Sequence, residues 1–159
     1  MRKNLPVTDI EYPLTDDVLI VSHTDVKGKI TYCNEDFLTV SGYGKDELLG
    51  KPHNIVRHPD MPPAGFENLW DTLKQGKPWV GAVKNRRKNG DFYWVLATAS
   101  PIRENGQVTG YRSIRMRLPA EQRAEAEQFV DQHLFQQPHR LRDDAAFPTP
   151  RSLPARLSS

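Results

Sequence analysis

The sequence predicts an α+β fold in which a five-stranded antiparallel sheet carries short helices on one face. Two short strand-like segments, residues 18–23 and 29–34, come before a helical region, and three longer ones follow it at residues 78–88, 91–102 and 108–118. Tight turns join the last three segments. The helical region has to cross from the first pair of strands to the last three, so we expect it to lie over one face of the sheet.

The first two strands form a predicted hairpin, because a turn at residues 25–28 separates VLIVSH from KITYCN. Asn34 is the predicted N-cap of the helix that begins NEDFLTVSGY, since its side chain can accept a hydrogen bond from a first-turn amide. The segment KDELLG, residues 45–50, predicts a further short helical turn that ends at Gly50.

The longest helix before the last three strands is predicted to start at Pro63. Its apolar residues recur at the spacing of one helix face: Phe66, Leu69, Trp70 and Leu73. The dipeptide Asn89-Gly90 predicts a hairpin between the third and fourth strands. After Pro119, a final helix over residues 120–135 has apolar residues at helical spacing: Ala126, Phe129, Val130 and Leu134.

Composition and proline punctuation divide the chain into four parts. We expect an irregular N-terminal arm over residues 1–18, a folded domain over 19–118, a C-terminal linker helix over 119–136 and a linker without fixed structure over 137–159. The net charge of +2, with both signs interspersed, gives no case for nucleic acid or a membrane surface as a partner. The single cysteine excludes an intramolecular disulfide and fits a reducing compartment. Neither a signal peptide nor a membrane-spanning apolar run is present in the sequence given, so we expect a soluble chain in the cytoplasm.

Strand alternation assigns the residues of the third and fourth strands to two faces. Because Lys84 and Arg86 share one side of their strand, the opposite side is predicted to face the helices. That inner face carries two large or polar residues and three small ones: Trp79, Asn85, Gly81, Ala97 and Ala99. Small residues leave a costly void unless something fills it. Trp94 and Leu96 on the outer face are too apolar to stay bare, so a helix or a partner chain should cover them.

Two segments of the chain suggest a ligand site without defining one. The stretch HNIVRHPDMPPAGF, residues 53–66, concentrates polar side chains between prolines, but no regular spacing presents His53, His58 and Asp60 as a set of metal ligands. Asn85 on an inner face needs hydrogen-bond partners. Either backbone groups satisfy it as a core amide, or it bonds a ligand in the void.

Several stretches of the sequence carry a resemblance to a known family. HTDVKGKITYCNEDFLTVSGYGKDELLGKPH and KNRRKNGDFYWVLATASPI, followed by GYRSIR, resemble the two halves of PAS domains over about residues 19–117. PHNIVRHPDMP, with FENLWDTLKQGKPWVGAVKNRRKNGDFYWV after it, is similar to the flavin-binding PAS domain of bacterial aerotaxis receptors (the Aer type). The arm VTDIEYPLTDDVLIVSHTD resembles the N-terminal cap of that family.

The resemblance implies a noncovalent FAD between sheet and helices, and a redox- and oxygen-responsive sensor module that is not an enzyme. It implies that the sensor signals to a HAMP and signalling module of the same receptor, as a homodimer, in the cytoplasm at the inner membrane. No metal is implied. The candidate cofactor-binding residues are Arg57, His58, Asp60, Trp79, Asn85, His53 and Asn34.

Elementary chemistry supports one of these roles directly. The FAD pyrophosphate is anionic, and the Arg57 guanidinium can contact it through two parallel hydrogen bonds. A carboxylate beside a pyrophosphate would repel it, so we expect Asp60 to orient Arg57 or His58, or to cap the following helix.

Other functions of PAS domains remain as alternatives. A light-driven cysteine adduct is disfavoured, because NIVRHPDMP has no cysteine and Cys33 ends the second strand. Haem ligated by His53 or His58, and a ligand-free fold used for dimerisation, are the two alternatives to FAD. A flavoenzyme is disfavoured because the sequence has no nicotinamide fingerprint.

Overall fold

The computed structural model describes residues 5–135, with all their side chains except those of residue 64 and residues 132–135. Five antiparallel strands form one sheet in the order β2-β1-β5-β4-β3. Their bounds are β1 Ile20–Thr24, β2 Ile30–Cys33, β3 Trp79–Arg86, β4 Phe92–Glu104 and β5 Gln107–Arg117. The predicted sheet is confirmed. The first four residues of the arm and the linker predicted over residues 137–159 lie outside the described residues.

Within the described residues, four α-helices and one 3-10 helix accompany the sheet. Their bounds are α1 Glu35–Ser41, α2 Lys45–Leu48, the 3-10 helix His53–Val56, α3 Pro63–Lys74 and α4 Ala120–Phe135. The sequence predicted the α-helices but not the 3-10 helix, which is one short turn between prolines and buries Ile55 and Val56. None of the helices within residues 5–135 combines the length and hydropathy needed to cross a bilayer.

Asn34 fastens the start of α1 to the sheet. Its side-chain oxygen accepts hydrogen bonds from the Phe37 amide at 3.1 Å and from the Val21 amide of β1 at 3.0 Å. Its side-chain nitrogen donates to the Leu19 carbonyl at 2.8 Å. The helix ends at Gly42, whose φ of 77° is a left-handed conformation that glycine adopts without strain. The predicted N-cap is therefore confirmed, and it also positions the neighbouring strand.

The N-terminal arm extends the sheet where β5 has ended. The Thr8 amide donates to the Gly90 carbonyl, the Phe92 amide donates to the Ile10 carbonyl, and the Tyr12 amide donates to the Phe92 carbonyl. These bonds run over 2.7–3.0 Å and continue the ladder beside the first residues of β4. The described residues of the arm, 5–18, contain no helix or strand, and the arm is hydrogen-bonded to the folded domain.

A helix covers the apolar outer face of the sheet. Trp94 is only 5% exposed. It shares a buried cluster with Leu118, which lies just before α4, and with Ala126 and Val130 of α4. The same helix holds the arm, because both terminal nitrogens of Arg123 donate to the Glu11 carboxylate at 2.6 and 2.7 Å. Of the two expected covers for Trp94, the structure shows the chain's own helix.

We expect the substitution Asn34→Ala to lower the free energy of unfolding by roughly 1–2 kcal/mol, because it removes an N-cap together with a hydrogen bond to β1. Urea unfolding of the ligand-free protein measures this loss. Asn34→Asp keeps the accepting oxygen but loses the hydrogen bond to the Leu19 carbonyl, so it should recover only part of that loss. An unchanged unfolding midpoint for Asn34→Ala would contradict the structural role.

Candidate functional site

A cavity of about 560 Å³ lies between the inner face of the sheet, the 3-10 helix and α3. This volume is within the ~300–1,000 Å³ typical of small-molecule sites. Its walls are mainly apolar, with side chains from the sheet on one side and from α3 on the other: Val83, Ala97, Ala99, Phe66 and Leu69. The cavity reaches the surface between α3 and the turn that joins β1 to β2.

The small inner-face residues leave the space that strand alternation predicted, but Trp79 fills part of it. The Trp79 ring lies against the bare Cα of Gly81, where any added Cβ would collide with it. Its indole nitrogen donates to the Asn68 side chain of α3 at 3.1 Å. Ala97 and Ala99 line the open part of the cavity. Trp79 is thus a core residue, and it does not line the cavity.

Arg57 and Asn85 lie on two neighbouring segments of the chain, and both face the cavity. Residues 57–62, here called the polar loop, join the 3-10 helix to α3. Residues 57 and 85 form an isolated antiparallel bridge between this loop and β3, which is an edge strand. The Arg57 guanidinium lies 3.9 Å from the centre of the Phe66 ring, and burial lowers its pKa. The Asn85 side chain is 4% exposed and hydrogen-bonds Tyr93, whose pKa burial raises to about 12. Since an amide has two donors and an acceptor oxygen, Tyr93 leaves capacity for a ligand.

Three polar side chains form a cluster on the opposite wall. Arg115 of β5 donates from Nη2 to Ser22 Oγ of β1 at 2.8 Å, and from Nη1 to His53 Nε2 at 2.8 Å. Ser22 Oγ also lies 3.0 Å from His53 Nε2. Burial and the nearby Arg115 charge lower the pKa of His53 to about 3, so its imidazole is neutral. Because Nε2 accepts from Arg115, the ring proton resides on Nδ1.

His58 and Asp60 lie on the other side of β3 from the cavity. Asp60 accepts a hydrogen bond from Lys84 Nζ at 2.9 Å, and Lys84 lies over the Phe92 ring at 4.6 Å. His58 packs edge-on against Phe92, and its Nδ1 accepts from the Asp60 amide at 3.1 Å. Burial and the positive charge of Lys84 lower the pKa of His58 to about 4, so it is neutral near pH 7. Successive side chains of the extended loop therefore point to opposite faces of the edge strand.

The seven candidate residues divide into two groups. His53, Arg57 and Asn85 line the cavity, whereas Asn34, His58, Asp60 and Trp79 do not. Sequence reasoning did not assign the lining residues Trp70, Tyr111 and Arg115 to the cavity. It also missed Ser22, which bonds Arg115 but does not line the cavity. Alternation along β5 places Tyr111, Ser113 and Arg115 on one side. However, arginines occur on both sides of that strand, so alternation does not reveal which arginine is buried.

Metal chemistry has no support among residues 5–135. No group of three histidine, cysteine, aspartate or glutamate side chains there is arranged to hold a metal ion. The Nε2 atom of His53 is engaged with Arg115, and a buried cation beside an incoming metal ion would repel it.

A ligand-sized cavity between a five-stranded antiparallel sheet and short helices is the architecture of one large class of sensory domains. The chain belongs to the PAS family, because the family model described as the PAS fold matches residues 30–115, more than half of the chain. Within this class it is 54% identical over 121 residues to the aerotaxis receptor of Escherichia coli (strain K12), and the match covers 76% of this chain and 24% of that protein. The resemblance to PAS domains and to aerotaxis receptors is confirmed.

Two further similarities extend the comparison. The biofilm dispersion protein BdlA of Pseudomonas aeruginosa is 36% identical over 81 residues, covering 50% of this chain and 19% of that protein. A solved light-oxygen-voltage domain, studied with a flavin analogue, superposes with a TM-score of 0.61 over 74% of this chain and 88% of that chain. At 22% identity it shows the fold alone. The chain spans about a quarter of the aerotaxis receptor and about a fifth of BdlA.

We expect the Asp60–Lys84 ion pair to hold the polar loop against β3. Either Asp60→Lys or Lys84→Asp alone should lower the free energy of unfolding by about 1 kcal/mol, since each places like charges side by side at a partly exposed site. The exchanged double variant Asp60→Lys/Lys84→Asp should recover at least half of that loss. Urea unfolding of the four proteins measures the coupling.

The same four proteins show whether Asp60 acts on a ligand directly. If Asp60 serves only to position the loop, the exchanged variant regains ligand affinity along with stability. Regained stability without regained affinity would show that the carboxylate itself contacts the ligand.

Proposed function

We propose that this chain is the FAD-binding, redox- and oxygen-responsive sensory module of an aerotaxis-type receptor. The observation that carries the proposal is the mainly apolar cavity, with Arg57, Asn85 and the Arg115 cluster at its edges, in a chain 54% identical to an aerotaxis receptor. The light-oxygen-voltage domain of similar fold was studied with a flavin analogue, which supports the same ligand class.

The residues present fit a flavin. Alanines and valine on the sheet and Phe66 and Leu69 on α3 make two apolar walls, which suit the faces of a flat ring. Amide and guanidinium groups at the rim of the cavity match the polar edge of that ring. Arg57, with Lys27 and Lys74 near the mouth, provides positive charge for the phosphate groups of a flavin nucleotide. A bound flavin would supply the capacity to take up electrons, which no protein side chain here has.

We assign to Asn85 the detection of the redox state of the bound ligand. Its amide can donate or accept, so it can answer a change in the hydrogen-bonding character of a ring edge by rotating. It lies directly opposite Tyr93 on β4, and the next residue of β4, Trp94, lies under α4 on the outer face. A rotation of the Asn85 side chain would thus alter the packing of the outer face against α4 and the arm.

The remaining parts of the proposal concern the whole receptor. We infer that the module is not an enzyme, that it works as a homodimer in the cytoplasm at the inner membrane, and that it signals to a HAMP module of the same receptor. Its aerotaxis and biofilm-dispersion relatives support a sensory role. Haem is the weaker alternative, since His53 Nε2 is engaged by a buried arginine and His58 lies outside the cavity.

The proposed function is tested by the spectrum of the purified protein. We expect a yellow protein with flavin absorption bands that releases FAD, rather than FMN, on denaturation. Arg57→Ala should stay folded but weaken FAD binding by about one to two decades, because a charge-assisted hydrogen bond contributes roughly 1.5–3 kcal/mol. A Soret band, or a colourless protein after incubation with FAD, would overturn the proposal.

We expect Asn85→Ser to bind FAD but to lose its response to reduction. The shorter hydroxyl cannot span the distance of the amide, so the redox-dependent hydrogen bond is lost or passes through water. The measurement is hydrogen exchange of the arm and α4 in oxidised and dithionite-reduced protein. Wild type should differ between the two states, and the variant should not.

Two results would count against this route. Identical exchange in both states of the wild type would show that ring chemistry does not reach the outer face. A normal response in Asn85→Ser would leave the route standing but remove Asn85 as its switch.

A further inference from the structure

Arg57 extends from the polar loop to α3, where its guanidinium lies over the ring of Phe66. Both side chains line the cavity, and the central carbon of the guanidinium is 3.9 Å from the centre of the ring. A guanidinium is attracted to the electron-rich face of an aromatic ring and stacks on it readily. Phe66 therefore holds the charged end of Arg57 on a different element from the one that carries its backbone.

The backbone of Arg57 is held as well. Its amide donates to the Asn54 carbonyl at 3.0 Å, and residue 57 is bridged to residue 85 of β3. An arginine side chain has many rotamers, and a ligand that has to order such a side chain binds less tightly for that reason. Because Arg57 is held at its backbone and at its guanidinium, much of this ordering is complete before a ligand arrives.

Partial burial distinguishes Arg57 from the exposed cations of the cavity lining, which are Lys27, Lys74 and Arg112. Water and salt screen an exposed charge, so it contributes little to a contact with phosphate. Arg57 is partly buried, and burial lowers its pKa, although a guanidinium stays charged near pH 7. A hydrogen bond from Arg57 to phosphate should therefore be stronger than one from the exposed cations.

A phenyl ring is a suitable partner for an arginine that has to bind an anion. A carboxylate in the same place would occupy the N–H groups of the guanidinium and neutralise its charge, and phosphate binding requires both. The ring of Phe66 attracts the guanidinium without offering an oxygen atom or a full negative charge. It can thus fix the side chain and still leave it able to bind phosphate.

We propose that Phe66 is a positioning residue for phosphate recognition, and that the preference of the site for phosphorylated flavins over riboflavin depends on its contact with Arg57. The inference rests on the proposed function, and it specifies how the phosphate part of the same ligand is recognised. Phe66 acts through Arg57 and not through a contact with the phosphate itself.

The affinities of the apoprotein for riboflavin, FMN and FAD test this role, with quenching of flavin fluorescence as the measurement. Riboflavin lacks phosphate, so the ratio of its Kd to the Kd of FMN reports the phosphate contact, and changes in ring packing cancel. Wild type should prefer FMN to riboflavin. Phe66→Leu should lower that preference by about two- to thirtyfold, the range expected for loss of a cation–π contact, and the affinity for FAD should fall with it.

Three further variants locate the cause of that change. Phe66→Tyr keeps the aromatic face and should keep most of the preference. Leu69→Val is the matched control, because Leu69 lies on the same helix and lines the same cavity. It should weaken the binding of all three flavins by a similar factor and leave the ratio unchanged. In the double variant Arg57→Ala/Phe66→Leu, the second substitution should no longer alter the ratio.

Failure of this inference and failure of the proposed function give different results. If none of the three flavins binds wild type, the proposed function fails. If they bind, the role of Phe66 is overturned by a full wild-type preference in Phe66→Leu, by equal binding of FMN and riboflavin to wild type, or by an effect of Phe66→Leu that persists without Arg57. Circular dichroism checks each fold, and Phe66→Met, which fills similar volume without a ring, gives the same test if Phe66→Leu does not fold.

Discussion

The inner face of the sheet carries side chains that are too short to reach the helices over it, and the rest of the structure accommodates this gap. Ala97 and Ala99 on β4 oppose α3 without filling the space between them. Close packing would ordinarily remove such a space, since unfilled volume costs dispersion and hydrophobic contacts. Trp79 removes part of it by lying across Gly81. What remains is a mainly apolar cavity bordered by a few polar groups, a composition that small-molecule sites commonly have.

The polar loop before α3 serves this cavity from both sides of the edge strand. Its backbone bridges Asn85, which leaves alternate side chains inside and outside the sheet. Arg57 enters the cavity, whereas Asp60 is paired with Lys84 on the outer side. Arg57, His58 and Asp60 look like one polar cluster in the sequence. In the structure Arg57 faces the cavity, whereas His58 and Asp60 hold the backbone of the loop in place. Loss of ligand on substitution in this loop can therefore arise without any contact to the ligand.

Neighbouring residues of β3 and β4 connect the cavity side of the sheet to its outer face. Asn85 faces the cavity and is paired with Tyr93, while Trp94, one residue further on, packs under α4. Arg123 on α4 in turn holds Glu11 of the arm through two hydrogen bonds. These contacts connect the wall of the cavity to α4 and the arm.

Local patterns in the sequence were sufficient for the strands and α-helices and for the faces of β3 and β4, but not for the 3-10 helix. Asn89-Gly90 marks the hairpin, Asn34 the start of α1 and Pro63 the start of α3, because turn and cap residues act through backbone groups a few positions away. Alternation also placed Asn85 inside and Trp94 outside. The pairing of distant segments was decided only by the tertiary structure. Ala97, Arg115 and Ile20 become neighbours through strand register, and that register buries Arg115 against Ser22 and His53. No local pattern distinguishes that arginine from the exposed Arg117, since the burial of a side chain depends on what the other strands and helices place over it.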